Sequence, residues 1–279
     1  MILHTFSNVF PATIEKRPSA TCKTPYVADI VIQDHKFLGH SPSLGCCGLA
    51  DKDSNVLCSK IDSKSKKTCQ FKIELAVFEE KDAKIIIGIN PKLAESIAET
   101  ALKNNCILHL ENIQSYQRES TFLNSRFDFS GIDQNGKQFI MEIKNVPLAD
   151  YVDCSKKERK KYEHTFDSLD INDKIAYFPD GYRKNKNAVV SPRALKHIQE
   201  LQTIATTTDI RTILLFVIQR SDVKHFQPSN IDLTYKETVK NAYLNGVEIK
   251  TLQVSWDYYG NCTFIKNNLP IHLSDDLII

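Results

Sequence analysis

The chain has 279 residues, 42% of them hydrophobic, and a formal net charge of +2. This length accommodates one large or two modest domains, and the ordinary apolar content excludes a globally disordered chain. Because the net charge is close to zero, no global field favours nucleic acid, and any such binding would depend on local patches. The longest apolar runs are far shorter than the roughly 20 residues that span a bilayer, so no membrane partner is expected.

The cysteines and the amino terminus indicate the compartment. The eight cysteines include no C-x-x-C pair, and the one close pair is Cys46-Cys47. Free thiols therefore fit better than a disulfide framework or a zinc site. The first residues also lack the apolar segment of a secretory signal. We expect a cytoplasmic protein in a reducing, intracellular compartment.

Residues 1 to about 85 are rich in β-prone runs, which predict a small sheet or barrel. Two of these runs form a hairpin around Asp34-His35, and the expected strands are 26–33, 36–39, 54–61, 71–79 and 84–89. The turn-rich loop 40–48 is interpreted as a tight corner rather than a phosphate-binding surface. The basic run 64–67 is interpreted as a solvated loop.

A well-marked helix follows, with Asn90 as its N-cap and Pro91 in its first turn, and it extends to about Asn104. Its apolar stripe predicts a buried face formed by Leu93, Ala94, Ile97, Ala98, Ala101 and Leu102. Glu95 and Glu99 share a face one turn apart. Glu95 is interpreted as a solvated acid, whereas Glu99 borders the apolar stripe and can point toward the next strands.

The segment 125–146 predicts a β-hairpin with unusual polar content. Two β-prone runs flank Gln134-Asn135-Gly136, which is a strong hairpin signal. A three-residue loop closed by a bulge at Gly136 would place Asp128 directly opposite Glu142. A two-residue loop would instead put these two acids on opposite faces of the sheet. We predict the bulged register.

Two charged stretches after the hairpin, near 151–174 and 181–190, are interpreted as surface insertions. A second helix begins with Ser191 as N-cap and Pro192 in the first turn. Its predicted inner stripe consists of Ala194, Leu195, Ile198, Leu201, Gln202 and Ala205. The outer face of its first turns is expected to carry Arg193, Lys196 and His197.

The apolar run 212–218 predicts a strand that is covered on both faces. It stops at 219–222, the kind of position where ligand-facing groups of α/β sheets lie. A helix at about 233–244 ends at Asn245-Gly246, and a strand at 247–254 follows. From the first helix onward the order is α-β-β-(β)-α-β-α-β, which indicates a mixed sheet flanked by helices.

The polar residues of the hairpin suit a metal-dependent reaction. Two carboxylates that converge across a hairpin repel each other unless a cation lies between them. Oxygen ligands suit Mg²⁺ or Mn²⁺, which also take a substrate phosphate as a ligand. Asp128, Glu142 and Lys144 match the D-x(n)-E-x-K pattern of the PD-(D/E)XK nucleases. The alternative is a surface ion pair, either Asp128 with Lys144 or Glu142 with Arg126.

Several segments resemble the sugar fermentation stimulation protein A (SfsA) family. The resembling segments are S-R-F-D-F at 125–129, E-I-K-N-V at 142–146, F-P-D at 178–180, R-A-L-K-H-I-Q-E-L at 193–201, L-L-F-V-I-Q-R-S-D at 214–222, the stretch 227–232 and N-G-V-E-I at 245–249. The resemblance is dense from about 88 to 270. The loop H-S-P-S-L-G at 40–45 is similar to the family's H-C-P-N-T-G loop, with Ser41, Ser43 and Leu44 as departures.

The resemblance implies an α/β (α+β) chain with an OB-like β-barrel over residues 1–86 and a PD-(D/E)XK nuclease-like domain over 87–279. Carried over by position, Asp128 and Glu142 are the expected metal ligands, and Lys144 acts with them as a catalytic residue. Glu99 matches an acid on the family's first helix and is expected as a further ligand of Mg²⁺ or Mn²⁺.

The implied partner is DNA, single- or double-stranded, and the implied activity is metal-dependent hydrolysis of its phosphodiester bonds. The expected DNA-binding residues are Arg126, Asn145, Arg193, Lys196, His197, Gln219 and Arg220. Alternatives are a non-catalytic, regulatory DNA-binding protein and an RNA-directed or repair accessory role in which the barrel supplies single-strand affinity. A homodimer is also left open.

Overall fold

The computed structural model describes residues 1–42, 48–62, 68–180 and 188–279. The predicted corner at 40–48, the basic run 64–67 and most of the predicted insertion at 181–190 therefore lie wholly or partly outside the described residues. None of the helices in these ranges combines the length and the apolar character that a membrane crossing needs.

The amino-terminal part forms an OB-like barrel. The first seven strands of the chain are β1 (Ile2–Thr5), β2 (Phe10–Lys16), β3 (Val27–Ile32), β4 (His35–His40), β5 (Asn55–Lys60), β6 (Phe71–Glu80) and β7 (Ala83–Gly88). The barrel consists of β2 to β6, whereas β1 pairs with β16 near the carboxyl end of the chain. The pairings β2-β3-β4-β6-β5 return to β2, and the parallel pair β4–β6 closes this five-stranded ring. Ile14, Ile30 and Ile73 are fully buried in its core. A closed five-stranded ring with such a core is the topology of an OB-like barrel.

The remaining chain alternates strands and helices. Its first half contains α1 (Pro91–Lys103), β8 (Ser115–Phe122), β9 (Ser125–Ile132), β10 (Gln138–Val146), β11 (Ala149–Asp150), α2 (Lys156–Arg159), α3 (Glu163–Phe166), a 3₁₀ turn (Ile171–Asp173) and β12 (Lys174–Phe178). Its second half contains α4 (Pro192–Thr207), β13 (Arg211–Ile218), β14 (Val223–Pro228), α5 (Leu233–Leu244), β15 (Glu248–Trp256), β16 (Asn261–Lys266), β17 (His272–Ser274) and β18 (Leu277–Ile278). The predicted mixed sheet flanked by helices is confirmed.

One sheet runs through both parts of the chain in the order β7-β15-β13-β10-β9-β8. Strands β10, β13 and β15 are parallel, and β9 and β8 are antiparallel additions. Alternate residues of β13 enter two cores, with Ile213, Leu215 and Val217 facing the α1 side and Leu214, Phe216 and Ile218 facing α4 and α5. The continuous apolar run in the sequence follows from this double coverage.

Capping residues fix the helix starts that position the site. Asn90 accepts a hydrogen bond from the Lys92 amide as the N-cap of α1, and Ser191 does the same for the Ala194 amide at α4. Both caps are the predicted ones, and the buried stripe of α1 is also the predicted one. Local signals therefore sufficed for these two helices.

The charged segment 151–174 is not a solvated insertion at its two ends, which corrects the prediction. Asp153 is buried near its start, and Lys174 is 2% exposed at its end, where β12 begins. Lys174 pairs with Glu80 at 2.6 Å and with Asp222 at 3.0 Å. These partners come from distant parts of the chain, so local charge density gave the wrong indication.

Candidate functional site

The β9–β10 hairpin has the predicted bulged register. Met141 pairs with Phe129, so the next two residues, Glu142 and Asp128, stand opposite each other. Gly136 has φ +79°, the left-handed conformation that closes the three-residue turn. Asp128 and Glu142 consequently line one pocket. The register prediction is confirmed.

This pocket, which we call the acid pocket, has a volume of about 500 Å³. Asp128, Glu142 and Lys144 line it, together with Pro91 from the first turn of α1 and Ser191 from the cap of α4. Two helix amino termini therefore border the acids, and their partial positive charge favours anions such as phosphate. The pocket combines groups for a cation with groups for an anion.

Both side-chain partners of Glu142 contact the same carboxylate oxygen, Oε1. Its Oε1 accepts a hydrogen bond from Lys144 Nζ at 2.5 Å and also contacts His197 Nδ1. Its Oε2 is buried and has no hydrogen-bond partner among the described residues. A buried carboxylate oxygen without a partner is costly, because nothing replaces its hydration. A bound cation would supply that partner.

Asp128 and Glu142 share the pocket electrostatically. Burial, together with the negative charge of Glu142, raises the pKa of Asp128 to about 7. Burial also opposes ionisation of Glu142, but Lys144 and His197 outweigh it and lower the pKa of that carboxyl. This asymmetry is typical of two acids that crowd one site, and a cation between them would relieve it.

The two acids of α1 have exchanged the positions that the sequence indicated. Glu95 lines the acid pocket, whereas Glu99 lies outside its lining. Glu99 accepts hydrogen bonds from Tyr116 at 2.8 Å and Arg118 at 2.7 Å, and Lys103 lies 3.1 Å away. Although burial opposes it, these three partners hold the pKa of Glu99 at about 2. Arg118 also binds Glu95, whose Oε2 accepts a hydrogen bond from it at 2.9 Å. Of these two acids, Glu95 is the one that lines the acid pocket.

His197 lies on the inner face of α4, so its predicted outward position is wrong. It is 4% exposed and contacts Glu142. Ala194, His197, Ile198 and Leu201 follow the i, i+3, i+4, i+7 spacing of a buried stripe. The sequence therefore contained the signal for an inward histidine, and the partner that the structure gives this side chain is Glu142.

Gln219 and Arg220 are buried as well, which corrects their predicted exposure to DNA. Gln219 donates to Asn145 Oδ1 at 2.8 Å and accepts from Trp256 Nε1 at 2.8 Å. Arg220 makes two hydrogen bonds of 2.7 Å to Asp222. Asn145 lines the acid pocket, whereas Gln219 is outside its lining. The hydrogen bond from Gln219 therefore orients the side-chain amide of Asn145.

The other predicted DNA-binding residues are exposed. Arg193 lines the acid pocket. Arg126 lies 3.3 Å from Glu119, and Lys196 donates to the Asn124 carbonyl at 2.7 Å. Their contact with DNA stays a prediction.

Sequence reasoning missed the aromatic wall of the acid pocket, which is formed by Tyr177 and Phe178 of β12. The Phe178 ring packs against Tyr235 and Phe216, with centroid separations of 5.5 and 6.0 Å. The β-prone run that carries them was a usable signal. It was obscured because the preceding segment was interpreted as a surface insertion.

The donor set fits a hard divalent cation. Within the described ranges, no three His, Cys, Asp or Glu side chains form a ready-made metal cage. Mg²⁺ and Mn²⁺ do not require one, since they bind through one or two carboxylates and complete their octahedron with water and phosphate. Asp128 and the Glu142 oxygen that has no partner within the described ranges meet that requirement.

The fold and the site define a class of protein. An Asp on β9 and a Glu-x-Lys on β10 are preceded by α1 and followed by α4 and the parallel strand β13. This is the arrangement expected of a PD-(D/E)XK nuclease-like domain, here joined to an OB-like barrel. The predicted fold class is confirmed.

The chain belongs to the sugar fermentation stimulation protein family. The family model described as "Sugar fermentation stimulation protein RE domain" matches residues 92–156 and 165–260, more than half of the chain. The sugar fermentation stimulation protein homolog of Brucella anthropi is 30% identical over 227 residues, which are 80% of this chain and 83% of that protein. The homolog of Clostridium novyi is 28% identical over 245 residues, 87% of this chain and 89% of that protein.

A solved structure extends the likeness to the whole fold. The structure of Pyrococcus furiosus SfsA in complex with Ca²⁺ superposes with a TM-score of 0.74, covering 98% of this chain and 99% of that one. The two sequences are 19% identical. The architecture is therefore shared although most side chains differ.

Proposed function

We propose that this chain is a DNA-binding nuclease that uses Mg²⁺ or Mn²⁺ to hydrolyse phosphodiester bonds in the acid pocket. One observation carries the proposal. Glu142, which lies directly across the hairpin from Asp128, has one oxygen fixed by Lys144 and His197. Its other oxygen is buried and has no partner in the described part of the chain. A carboxylate arranged in this way is prepared for a cation.

Asp128 and Glu142 would hold the cation, and Glu95 adds a third negative charge to the same pocket. Ca²⁺ in the Pyrococcus furiosus relative supports this assignment, because Ca²⁺ and Mg²⁺ both prefer oxygen ligands. When bound, such an ion neutralises charge on a phosphodiester and acidifies water.

The protein's own groups supply position and charge. Lys144 keeps donors free of its bond to Glu142, and a lysine ammonium has three donors in all, so it can also hold a phosphate oxygen. His197 fixes the orientation of the carboxylate. The amino termini of α1 and α4, marked by Pro91 and Ser191, attract the phosphate.

The test compares cleavage of labelled DNA by the wild-type protein and by Glu142→Gln, with Mn²⁺, with Mg²⁺ and with chelator. We expect products only with a divalent ion and at least about a hundredfold loss of rate in Glu142→Gln, since one carboxylate ligand and its charge are removed. Glu79→Gln is the matched control, because Glu79 is an exposed acid of the barrel paired with Lys84. Unchanged cleavage by Glu142→Gln would refute the assignment.

A non-catalytic DNA-binding role is the second candidate. The exposed cations Arg126, Arg193 and Lys196 favour it, because they lie on the hairpin and on the helix that border the acid pocket. It predicts salt-sensitive binding of DNA without any metal-dependent product.

A further inference from the structure

Glu142 and Lys144 of the acid pocket are recessed, and Asp128 is half-buried. Glu142 is 3% exposed and Lys144 is 8% exposed. We propose that the pocket takes an unpaired DNA strand, at a free end or in a single-stranded stretch, and not the phosphates of a continuous duplex. This inference rests on the proposed nuclease function and specifies its substrate.

Depth is the first argument. A phosphate of a duplex is joined to two paired and stacked nucleotides, which limits how deeply it can enter a pocket, whereas an unpaired strand can bend into it. The acid pocket, about 500 Å³ in volume, has the size of a small-molecule site. It can receive one or two nucleotides of a flexible strand. A paired strand would first have to unstack at a free-energy cost.

The charges of the lining are the second argument. Proteins that grip duplex DNA do so with lysines and arginines along both phosphate backbones. Among the described lining residues the acids Glu95, Asp128, Glu142 and Asp180 outnumber the cations Lys144 and Arg193, and Arg118 pairs with Glu95 at 2.9 Å. Such a lining suits one phosphate that arrives with a cation. It does not suit two backbones.

The aromatic wall is the third argument. Tyr177 and Phe178 line the pocket beside the acids, and Phe178 is held in place by Tyr235 and Phe216. Single-stranded DNA is commonly bound by stacking of its bases on aromatic side chains, which is available only when the bases are unpaired. Pro147 and Leu148 add further apolar surface.

The test uses one labelled sequence with Mn²⁺ in three forms: a single strand, a covalently closed duplex without ends, and the same duplex with a single-stranded overhang. We expect the single strand and the overhang to be cut about tenfold or more faster than the closed duplex. Equal rates on the closed duplex and the single strand would overturn this inference while leaving the nuclease function intact. No product from any form would instead remove the nuclease function itself.

A second measurement tests base stacking on the aromatic wall separately from the depth of the acid pocket. Single-strand affinity is measured for Tyr177→Leu and Tyr177→Phe, each checked for an unchanged unfolding temperature. We expect Tyr177→Leu to bind about tenfold more weakly and Tyr177→Phe to bind like the wild type, because only the first loses the ring. Equal affinities of the two variants would overturn the proposed role of the aromatic wall.

Discussion

At the scale of single residues, the state of one carboxylate decides what the pocket can bind. Glu142 receives both of its partners, Lys144 and His197, on the same oxygen. The second oxygen is buried and has no hydrogen-bond partner among the described residues. Groups that orient a ligand contribute to metal affinity without touching the metal. We propose that His197 is such a positioning residue for the cation site.

Replacement of His197 tests this role. We expect His197→Leu to weaken Mn²⁺ binding by about 10- to 100-fold, because Glu142 loses one of the two groups that fix its orientation. Calorimetric titration with Mn²⁺ measures the effect. Gln199→Leu, an exposed change on the same helix, is the control and should bind like the wild type. Equal Mn²⁺ affinity of the two variants would show that His197 does not position the carboxylate.

At the scale of elements, short-range signals predicted what short-range forces determine. The caps Asn90 and Ser191 and the turn glycine Gly136 act within a few residues, and each was read correctly from the sequence. The partners of Glu99 were not predicted, because Tyr116 and Arg118 lie on β8, a strand that the sequence did not reveal. Contacts that arise only when strands meet cannot be inferred from spacing within one helix.

The contact between β14 and β17 makes stability depend on pH. His225 and His272 stack with ring centroids 3.9 Å apart. Burial, followed by the positive charges of His272 and Lys224, lowers the pKa of His225 from 6.5 to about 4. The folded state therefore binds fewer protons than the unfolded state between these pH values. Stability is full above pH 6.5 and is lost as the pH falls toward 4.

Replacement of His225 tests whether this histidine makes the protein less stable as the pH falls. We expect the urea midpoint of the wild type to fall as the pH is lowered from above 6.5 toward 4, and that of His225→Phe to fall less. His164→Phe, an exposed change in α3, should keep the wild-type dependence. An identical pH dependence in the wild type and His225→Phe would contradict the account.

At the scale of the whole molecule, the barrel and the nuclease-like part are joined by more than the shared sheet. Lys174 of β12 pairs with Glu80 of β6 and with Asp222, which in turn binds Arg220. All but Glu80 are almost completely buried. The segment 151–174 ends in this network. The charge pattern of this segment predicted a surface insertion, but its carboxyl end links the two parts of the structure.

Breaking this link should weaken the fold. We expect Lys174→Met to lower the free energy of unfolding by about 3 kcal/mol, since Asp222 and Glu80 would lose a buried partner. Denaturant titration measures the loss. Lys84→Met, which breaks the exposed pair with Glu79, is the matched control and should change stability little because water screens that pair. Similar losses of unfolding free energy in both variants would show that the buried network stabilises the fold no more than an exposed ion pair does.

The central claim is that Asp128 and Glu142 together hold a divalent cation. The most direct measurement is Mn²⁺ binding followed by electron paramagnetic resonance in the wild-type protein, Glu142→Gln and the control Glu79→Gln. The account predicts one Mn²⁺ bound by the wild type and by the control, and binding weakened by about a hundredfold in Glu142→Gln. Wild-type affinity in Glu142→Gln would contradict it.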